Sequence, residues 1–276
     1  MKSHSSSRSL VRFIMASLTL LAVPFVVLHS QAQIYVLTHN NSSVQINVGA
    51  QMGMFQWTVE SQNQLYQQWF WYRVGNAAEQ SIDTISAPLA NQPNNRTLYT
   101  SYNNGQYGVE VDYMLTGFAP GSGISDISES ITITNCTTEP LDFHFFQYSD
   151  FDLSGVIGGD VVQLGKNIHG LFNEAFQQNG SLALTETVAT PGANHGEAGV
   201  YPVTLLKLND AFATTLSDFA GPLGPTNATW AFQWDLTIAP ESSVGISKDK
   251  YLRIIPEPTS ILLTLGGFVL LLRRRR

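Results

Sequence analysis

The stretch "TWAFQWDLTI" (residues 229–238) decides the fold, because its large apolar residues recur at every second position. Side chains in a β-strand point alternately to the two faces of a sheet, so a period of two places one set together. Trp230, Phe232, Trp234, Leu236 and Ile238 would share one face, and mostly polar residues would occupy the other. The stretch therefore predicts a half-buried strand.

Similar patterns recur along the chain and predict an all-β fold. "YGVEVDYML" (107–115) and "ISESITIT" (127–134) alternate in the same way, and shorter strand-like runs include "YVLT", "VQINV", "MFQWTV", "LYQQWFWYRV", "LDFHFFQY" and "LALTETV". Turn-rich segments such as "NQPNNR", "YNNGQYG" and "TPGANHGEAG" separate them. Many evenly spaced strands with one apolar face indicate an antiparallel β-sandwich, which we expect to be jelly-roll-like.

Only one internal segment predicts a helix. It is "NDAFATTLSDF" (209–219), with Asn209 or Asp210 as the N-cap. The run "APESSVGISKDKYLR" (239–253) predicts a short last strand. No repeat or linker interrupts the chain before Ile254, so we expect one domain over residues 33–253.

Charge is distributed unevenly over the 276 residues. The formal net charge is −7, but the N-terminal 12 residues hold three Lys/Arg and the last four residues are all arginine. Residues 33–255 then carry 7 Lys/Arg against 20 Asp/Glu, a net charge of about −13. Such a body repels phosphate backbones, which argues against nucleic-acid binding, and it would tolerate Ca²⁺. Cys136 is the single cysteine, so an intramolecular disulfide is excluded.

The N-terminus has the layout of a secretory signal peptide. Basic residues precede an apolar stretch from about Phe13 to Leu28, and Ser30 and Ala32 are the small residues of a cleavage site. We expect signal peptidase to cut after Ala32, which leaves residues 1–32 as the signal. The alternative is an uncleaved membrane anchor.

The C-terminus resembles a membrane segment with a fixed orientation. Residues 259–272 contain no charge, and as a helix they would be roughly 21 Å long, marginal for a hydrocarbon core of about 30 Å. Flanking residues bring the segment close to spanning. By the positive-inside rule the terminal arginines anchor the cytoplasmic end; they are Arg273, Arg274, Arg275 and Arg276.

Pro256-Glu257-Pro258, followed by a short apolar helix and terminal arginines, resembles the PEP-CTERM sorting signal of Gram-negative bacteria. The same kind of tail is also classified as an ice-binding protein C-terminal domain, but the chain has no regular threonine array. The resemblance covers residues 254–276 alone. It implies processing by an exosortase-type membrane enzyme in bacteria that make extracellular polysaccharide, and it implies nothing about the chemistry of the body.

The stretch "LDFHFFQYSDFDLSG" (141–155) holds the strongest candidate for a metal site. Asp150 and Asp152 lie two residues apart near a predicted strand end, and Asp160 follows in the chain. Carboxylate oxygens are ligands that Ca²⁺ prefers, although the spacing is not that of an EF-hand. The alternative is a solvated strand end. His144, His169 and His195 lack zinc-binding spacing, and a zinc site would require the fold to assemble them.

The aromatic stretch "YQQWFWYRV" (66–74) has two interpretations. Exposed Trp69 and Trp71 beside amide side chains would form a platform on which a sugar ring stacks. Alternation sends these two residues to one face and Phe70 and Tyr72 to the other, which also suits a strand buried on both sides. Both interpretations remain open at this stage.

No nucleophile, phosphate-binding or dinucleotide-binding motif is present in the sequence. We therefore expect no cofactor other than Ca²⁺ and a non-enzymatic protein. It would be exported, held in the membrane with its body outside the cytoplasm, and passed to the cell surface or extracellular matrix. Its role would be structural or adhesive, with extracellular polysaccharide or Ca²⁺ as ligand. The alternative is a secreted polysaccharide-active enzyme, a glycoside hydrolase or lyase.

Overall fold

A computed structural model describes residues 33–254, which belong to one compact unit. Eighteen strands make up most of this region; in chain order they are β1 (Ile34–His39), β2 (Ser42–Asn47), β3 (Gly53–Val59), β4 (Gln62–Asn63), β5 (Gln67–Val74), β6 (Gln80–Ser81), β7 (Leu89–Asn94), β8 (Thr97–Asn103), β9 (Tyr107–Gly117), β10 (Ser125–Asn135), β11 (Leu141–Asp150), β12 (Asp160–Lys166), β13 (Phe172–Asn179), β14 (Leu182–Thr190), β15 (His195–Val200), β16 (Leu223–Thr226), β17 (Ala228–Ile238) and β18 (Ser243–Ile254). The helix α1 (Val203–Lys207) and two 3₁₀ turns (Ile82–Thr84, Leu153–Gly155) are the helical elements of the described residues.

The strands form two nine-stranded sheets. Sheet I has the order β1-β2-β3-β5-β11-β17-β15, with β4 beside β3 and β6 beside β5. Sheet II has the order β16-β12-β13-β14-β18-β10-β9-β8-β7. Strand pairs are antiparallel except β3 with β5. The predicted all-β sandwich is confirmed, with two sheets of mainly antiparallel strands.

Contacts between the sheets define the inner face of sheet I. Lys248 Nζ of sheet II lies 4.9 Å from the centre of the Phe70 ring, and Gln147 Nε2 donates to Glu186 Oε2 at 2.7 Å. Large aromatic side chains fill the space around these residues. The Phe70 and Phe145 rings stack with centroids 5.4 Å apart. By alternation, Trp71 in β5, Phe146 in β11 and Gln233 in β17 lie on the outer face of sheet I.

The predicted half-buried strands are confirmed for β9 and β10. Their residues pair in register, with Ile131 opposite Val111 and Ile133 opposite Val109. All four side chains are buried, while Glu110 and Asp112 between them are exposed. Here one face of sheet II packs on the core and the other meets solvent.

The strand β17 differs from its prediction because both of its faces are buried over most of its length. Residues 203–220 lie across the outer face of sheet I and exclude water from it. Leu216 N donates to Gln233 Oε1 at 2.9 Å, and the Arg73 guanidinium donates to Thr214 O at 3.3 Å. β5 is buried on both faces for the same reason.

The helix predicted over residues 209–219 is wrong. α1 ends at Lys207, the amides of Leu208 and Asn209 still donate to carbonyls of the helix, and amides beyond Asn209 bond to side chains. Phe212 N donates to Asp210 Oδ1 at 2.7 Å, and Thr214 N donates to Glu79 Oε1 at 2.9 Å. Side-chain acceptors therefore compete successfully with helical hydrogen bonds in this segment.

The prediction of a short last strand over residues 239–253 is also corrected. β18 has 12 residues and lies in the middle of sheet II, between β14 and β10. Two of its inner-face side chains are Lys248 and Lys250, both buried. Because lysines are usually solvent-exposed, their presence makes this central strand look like a solvated one in the sequence.

The predicted signal peptide with cleavage at Ala32, the Pro256–Pro258 motif, the transmembrane segment 259–272 and the arginines 273–276 lie outside the described residues. Within residues 33–254, no helix has the length and apolar character needed to cross a membrane.

Candidate functional sites on the outer face of sheet I

A chain of histidine and aspartate side chains lies at one end of the outer face. β11 pairs with β17 so that His144 stands opposite Asp235, and His144 Nδ1 lies 2.5 Å from Asp235 Oδ1. β15 places His195 beside the same carboxylate, with Nε2 3.3 Å from Asp235 Oδ2. His195 Nδ1 lies 3.1 Å from Asp218, and His144 Nε2 lies 3.3 Å from Asp142. Three strands thus bring two imidazoles to one carboxylate.

The charge of Asp235 suits this position. Partial burial acts to raise the pKa of Asp235, but hydrogen bonds from Gln233 and His144, together with the two histidines' charge, bring the pKa below its usual value. Gln233 Nε2 donates to Asp235 Oδ1 at 2.7 Å. An ionised carboxylate between imidazoles orients both rings, an arrangement that suits general acid–base chemistry.

Asp218, at the outer end of the row of histidine and aspartate side chains, has an uncommon backbone conformation. Its φ is +61°, in the left-handed region that non-glycine residues rarely adopt. Its carboxylate accepts a hydrogen bond from Gly196 N at 3.3 Å and faces His195. The surrounding contacts therefore maintain the conformation that orients His195.

A carboxylate cluster lies at the other end of β11. Asp150 ends β11, Asp152 follows it, and Asp160 begins β12 in sheet II. Asp150 and Asp160 are buried, and among the described residues neither oxygen of Asp160 has a hydrogen-bond partner of ordinary geometry. The nearby Gln177 amide donates to Phe151 O instead. The structure thus brings the three predicted aspartates together. Asp150 is six residues along β11 from His144, which at roughly 3.3 Å per residue separates the two sites by about 20 Å.

Burial raises the pKa of each carboxyl in this cluster. The pKa of Asp150 rises to about 7, first through burial and then through the charges of Asp152 and Asp160. The pKa of Asp160 rises to about 7 through burial, with a further contribution from Asp152. Each shift makes a negative charge unfavourable unless a proton or a cation accompanies it.

We expect the melting temperature to rise by several degrees as the pH is lowered from 8 to 5. Between about pH 4, the unfolded pKa of aspartate, and pH 7, folded Asp150 and Asp160 hold protons that the unfolded chain has released. Stability therefore falls as the pH rises through this window and levels off above it. Asp160→Asn should flatten the profile measured by differential scanning calorimetry, whereas Glu174→Gln, an exposed change on β13, should leave it unaltered.

The Ca²⁺ expectation can be tested in the same measurement. If Ca²⁺ binds these carboxylates in place of protons, about 1 mM Ca²⁺ at pH 8 should raise the melting temperature of the wild type but not that of Asp160→Asn. A melting temperature that increases with pH would contradict the carboxyl assignment. No group of three or more His, Cys, Asp or Glu in residues 33–254 has the arrangement of a metal site.

A groove of about 510 Å³ adjoins the carboxylate cluster. Tyr66 N donates to Asp150 O at 3.0 Å, which fixes the edge of the groove to the end of β11. Tyr66 itself is 53% exposed and meets the ring of Tyr201 edge to face, 5.9 Å between centroids. The remaining lining residues combine amides with apolar side chains: Gln51, Met52, Phe55, Gln56, Asn63, Leu65 and Gln67.

The two tryptophans considered as a sugar platform are both buried. Trp69 and Trp71 have no exposed surface, and their indole N–H groups donate to Ser81 Oγ and Asn209 Oδ1 respectively. No sugar can stack on them, so the structure corrects that interpretation in favour of the core strand. Within the stretch 66–74, the exposed aromatic side chain is that of Tyr66, one position before β5.

Sequence reasoning noted His144 and His195 but not their meeting at Asp235. Alternation already placed Asp142 and His144 on one face of a strand, and Asp235 on the polar face of another. The pairing of β11 with β17 is a long-range contact that a single sequence does not specify. The third histidine, His169, is exposed in the turn between β12 and β13, away from this pair.

No family model matches this sequence, and no relative was found among curated proteins. Solved structures share the fold. A bacterial glucoamylase in complex with acarbose superposes with a TM-score of 0.59 at 11% identity, covering 86% of this chain and 34% of the glucoamylase. An Escherichia coli K12 protein provisionally assigned as an aldose 1-epimerase gives a TM-score of 0.56 at 12% identity. The match covers 82% of this chain and 100% of the Escherichia coli protein.

A galactose mutarotase-like protein from Clostridium acetobutylicum gives a TM-score of 0.51 at 6% identity, covering 82% of this chain and 96% of its own. These identities establish a common sandwich architecture and no more. The chain spans about a third of the glucoamylase, so the activity of that enzyme belongs to a longer protein.

Proposed function

We propose that this chain is an exported envelope or matrix protein whose β-sandwich binds a neutral polysaccharide through the groove beside Tyr66. The observation that carries the proposal is the composition of that groove, in which amide side chains surround a half-exposed tyrosine. Amides donate and accept hydrogen bonds with sugar hydroxyls, and an aromatic face covers the apolar side of a sugar ring.

The charge of the body favours a neutral ligand. Residues 33–255 carry about −13, and Asp150 lies directly behind Tyr66. An acidic polysaccharide would be repelled by this field. The structural neighbours described as a glucoamylase and an aldose 1-epimerase are named for carbohydrate chemistry, which supports a sugar as the ligand.

The proposal retains the export and sorting route expected from the two ends of the sequence. Signal peptidase would release the body after Ala32, and an exosortase-type enzyme would process the tail at Pro256, Glu257 and Pro258. The protein would then reach the cell surface or extracellular matrix, where polysaccharide is present. Sugar binding in the groove does not depend on the predicted jelly-roll-like topology, the predicted transmembrane segment or the predicted Ca²⁺ site.

Affinity electrophoresis in gels that contain dextran, soluble starch or alginate tests the proposal. We expect retardation by a neutral polysaccharide and not by alginate, and a roughly tenfold weaker affinity for Tyr66→Ala, equivalent to about 1.4 kcal/mol. Tyr99→Ala is the matched control, because Tyr99 is also half exposed but lies on sheet II. Equal retardation of wild type and Tyr66→Ala would contradict the proposal.

A second candidate function is an enzyme that acts on a sugar by acid–base chemistry. The arrangement of His144, Asp235 and His195 favours it, because one imidazole can donate a proton while the other accepts one. The same polysaccharides and free aldoses can be assayed for released reducing ends and for anomer interconversion by polarimetry. Turnover above the uncatalysed rate would favour the enzyme over the binding protein.

A further inference from the structure

Four charged side chains lie together in the buried interior between the sheets. They are Glu129 on β10, Glu186 on β14, and Lys248 and Lys250 on β18, and none of their side chains has exposed surface. The cluster is electrically neutral, with two positive and two negative groups. The function proposed above does not use it, and its position in the core excludes a ligand from solvent.

Strand register brings one lysine and one glutamate into direct contact. Glu129 and Lys248 are directly opposite each other in the antiparallel pair β10–β18. Lys248 Nζ contacts Glu129 Oε2, and this contact is the closest of the four ion pairs in the cluster. The ring of Phe70 covers Lys248 Nζ from sheet I, at 4.9 Å. An amine is thus held against a carboxyl group and shielded from water.

We propose that Lys248 and Glu129 join through an intramolecular amide bond that cross-links β10 to β18. Lys248 first passes one proton to the Glu129 carboxylate; the neutral nitrogen then attacks Cδ, the N–C bond forms and one C–O bond breaks, and the oxygen, carrying that proton and a second one from the nitrogen, leaves as water. The reaction needs no oxidant, reductant or cofactor. Because both strands are already in register, the two reactants are held at a high effective concentration.

The remaining two charges serve the reaction. Lys250 Nζ lies 2.7 Å from Glu129 Oε2, where it stabilises negative charge that develops on that oxygen. Glu186 Oε1 lies 3.5 Å from Lys248 Nζ, within reach to take the proton from the nitrogen and return it to the leaving oxygen. Gln147 Nε2 orients Glu186 through a hydrogen bond of 2.7 Å to Oε2.

The protonation states that amide formation requires are favoured by the same burial. Burial lowers the pKa of Lys248 well below its usual value, so the nucleophilic neutral amine is accessible. Burial also raises the pKa of Glu186 despite the nearby charge of Lys250, which suits a group that carries a proton in transit. Forming the amide removes one buried ion pair and its desolvation cost.

Mass spectrometry of the purified full chain tests the proposal. Wild type should be lighter than its sequence by one water, about 18 Da, whereas Lys248→Arg should not, because a guanidinium stays protonated and does not acylate. Processing of the ends is common to both chains and cancels when their difference is compared. Proteolytic mapping should give one branched peptide that contains Lys248 and Glu129.

Two further variants make the outcome decisive. Glu186→Gln keeps the reacting pair but removes the proton relay, so most of the folded protein should have full mass. Tyr99→Ala, a surface change, should keep the deficit of one water. Folded wild-type protein of full mass would overturn the proposal, as would a branch that maps to Lys250.

Discussion

Lys250→Met is expected to lower the free energy of unfolding by about 3–5 kcal/mol, because it leaves the two buried carboxyl groups of Glu129 and Glu186 with a single ammonium group. Lys250 and Glu186 are directly opposite in the pair β14–β18, and neither side chain reaches solvent. Lys248 then faces both carboxyl groups alone, so one buried negative charge has neither hydration nor a compensating charge. Equilibrium unfolding in guanidinium chloride, followed by tryptophan fluorescence, measures the change.

A double variant separates the loss of pairing from the loss of packing. Lys250→Met combined with Glu186→Gln removes both charges and should recover at least half of the lost stability. Lys166→Met is the surface control: Lys166 is exposed, its ammonium lies 4.1 Å from the centre of the Phe172 ring, and its removal should cost less than about 1 kcal/mol. An unchanged unfolding midpoint for Lys250→Met would contradict a buried, charge-dependent cluster.

Trp69→Ala is expected to cost about 3–5 kcal/mol, since it deletes a completely buried indole from the strand β5. The indole N–H donates to Ser81 Oγ at 2.8 Å, and the ring meets Tyr102 edge to face with centroids 6.4 Å apart. The backbone of Gly53 passes so close that a Cβ there would lie 2.3 Å from the Trp69 ring. Such close packing leaves little room for the structure to close the cavity.

This second prediction distinguishes a core tryptophan from a sugar-stacking one. Trp69→Ala should lower the melting temperature by many degrees in buffer that contains no carbohydrate, as measured by calorimetry. Tyr66→Ala, three positions earlier but half exposed, should shift it by no more than a degree or two while weakening polysaccharide binding. A stable Trp69→Ala variant that had lost only binding would reverse the assignment.

The candidate sites show how much of a site a single sequence can predict. The sequence predicts Asp150, Asp152 and Asp160 as a carboxylate group near a strand end, and the structure shows that Asp160 belongs to the other sheet. The histidine chain required the pairing of β11 with β17, and the groove required Tyr66 to project while its neighbours turned inward. Each of these depends on contacts between residues far apart in the chain, which local periodicity does not encode.

Local alternation by itself determined that the body is an all-β sandwich, because a period of two in "TWAFQWDLTI" and its companions reports how strands present their side chains. Composition alone determined that the body is acidic. Tertiary structure decided which strands lie in the centre. β18 carries lysines that indicate solvent exposure, yet it is central, since Glu129 and Glu186 on its two neighbours neutralise them. Long-range pairing can thus bury charge that any local pattern assigns to the surface.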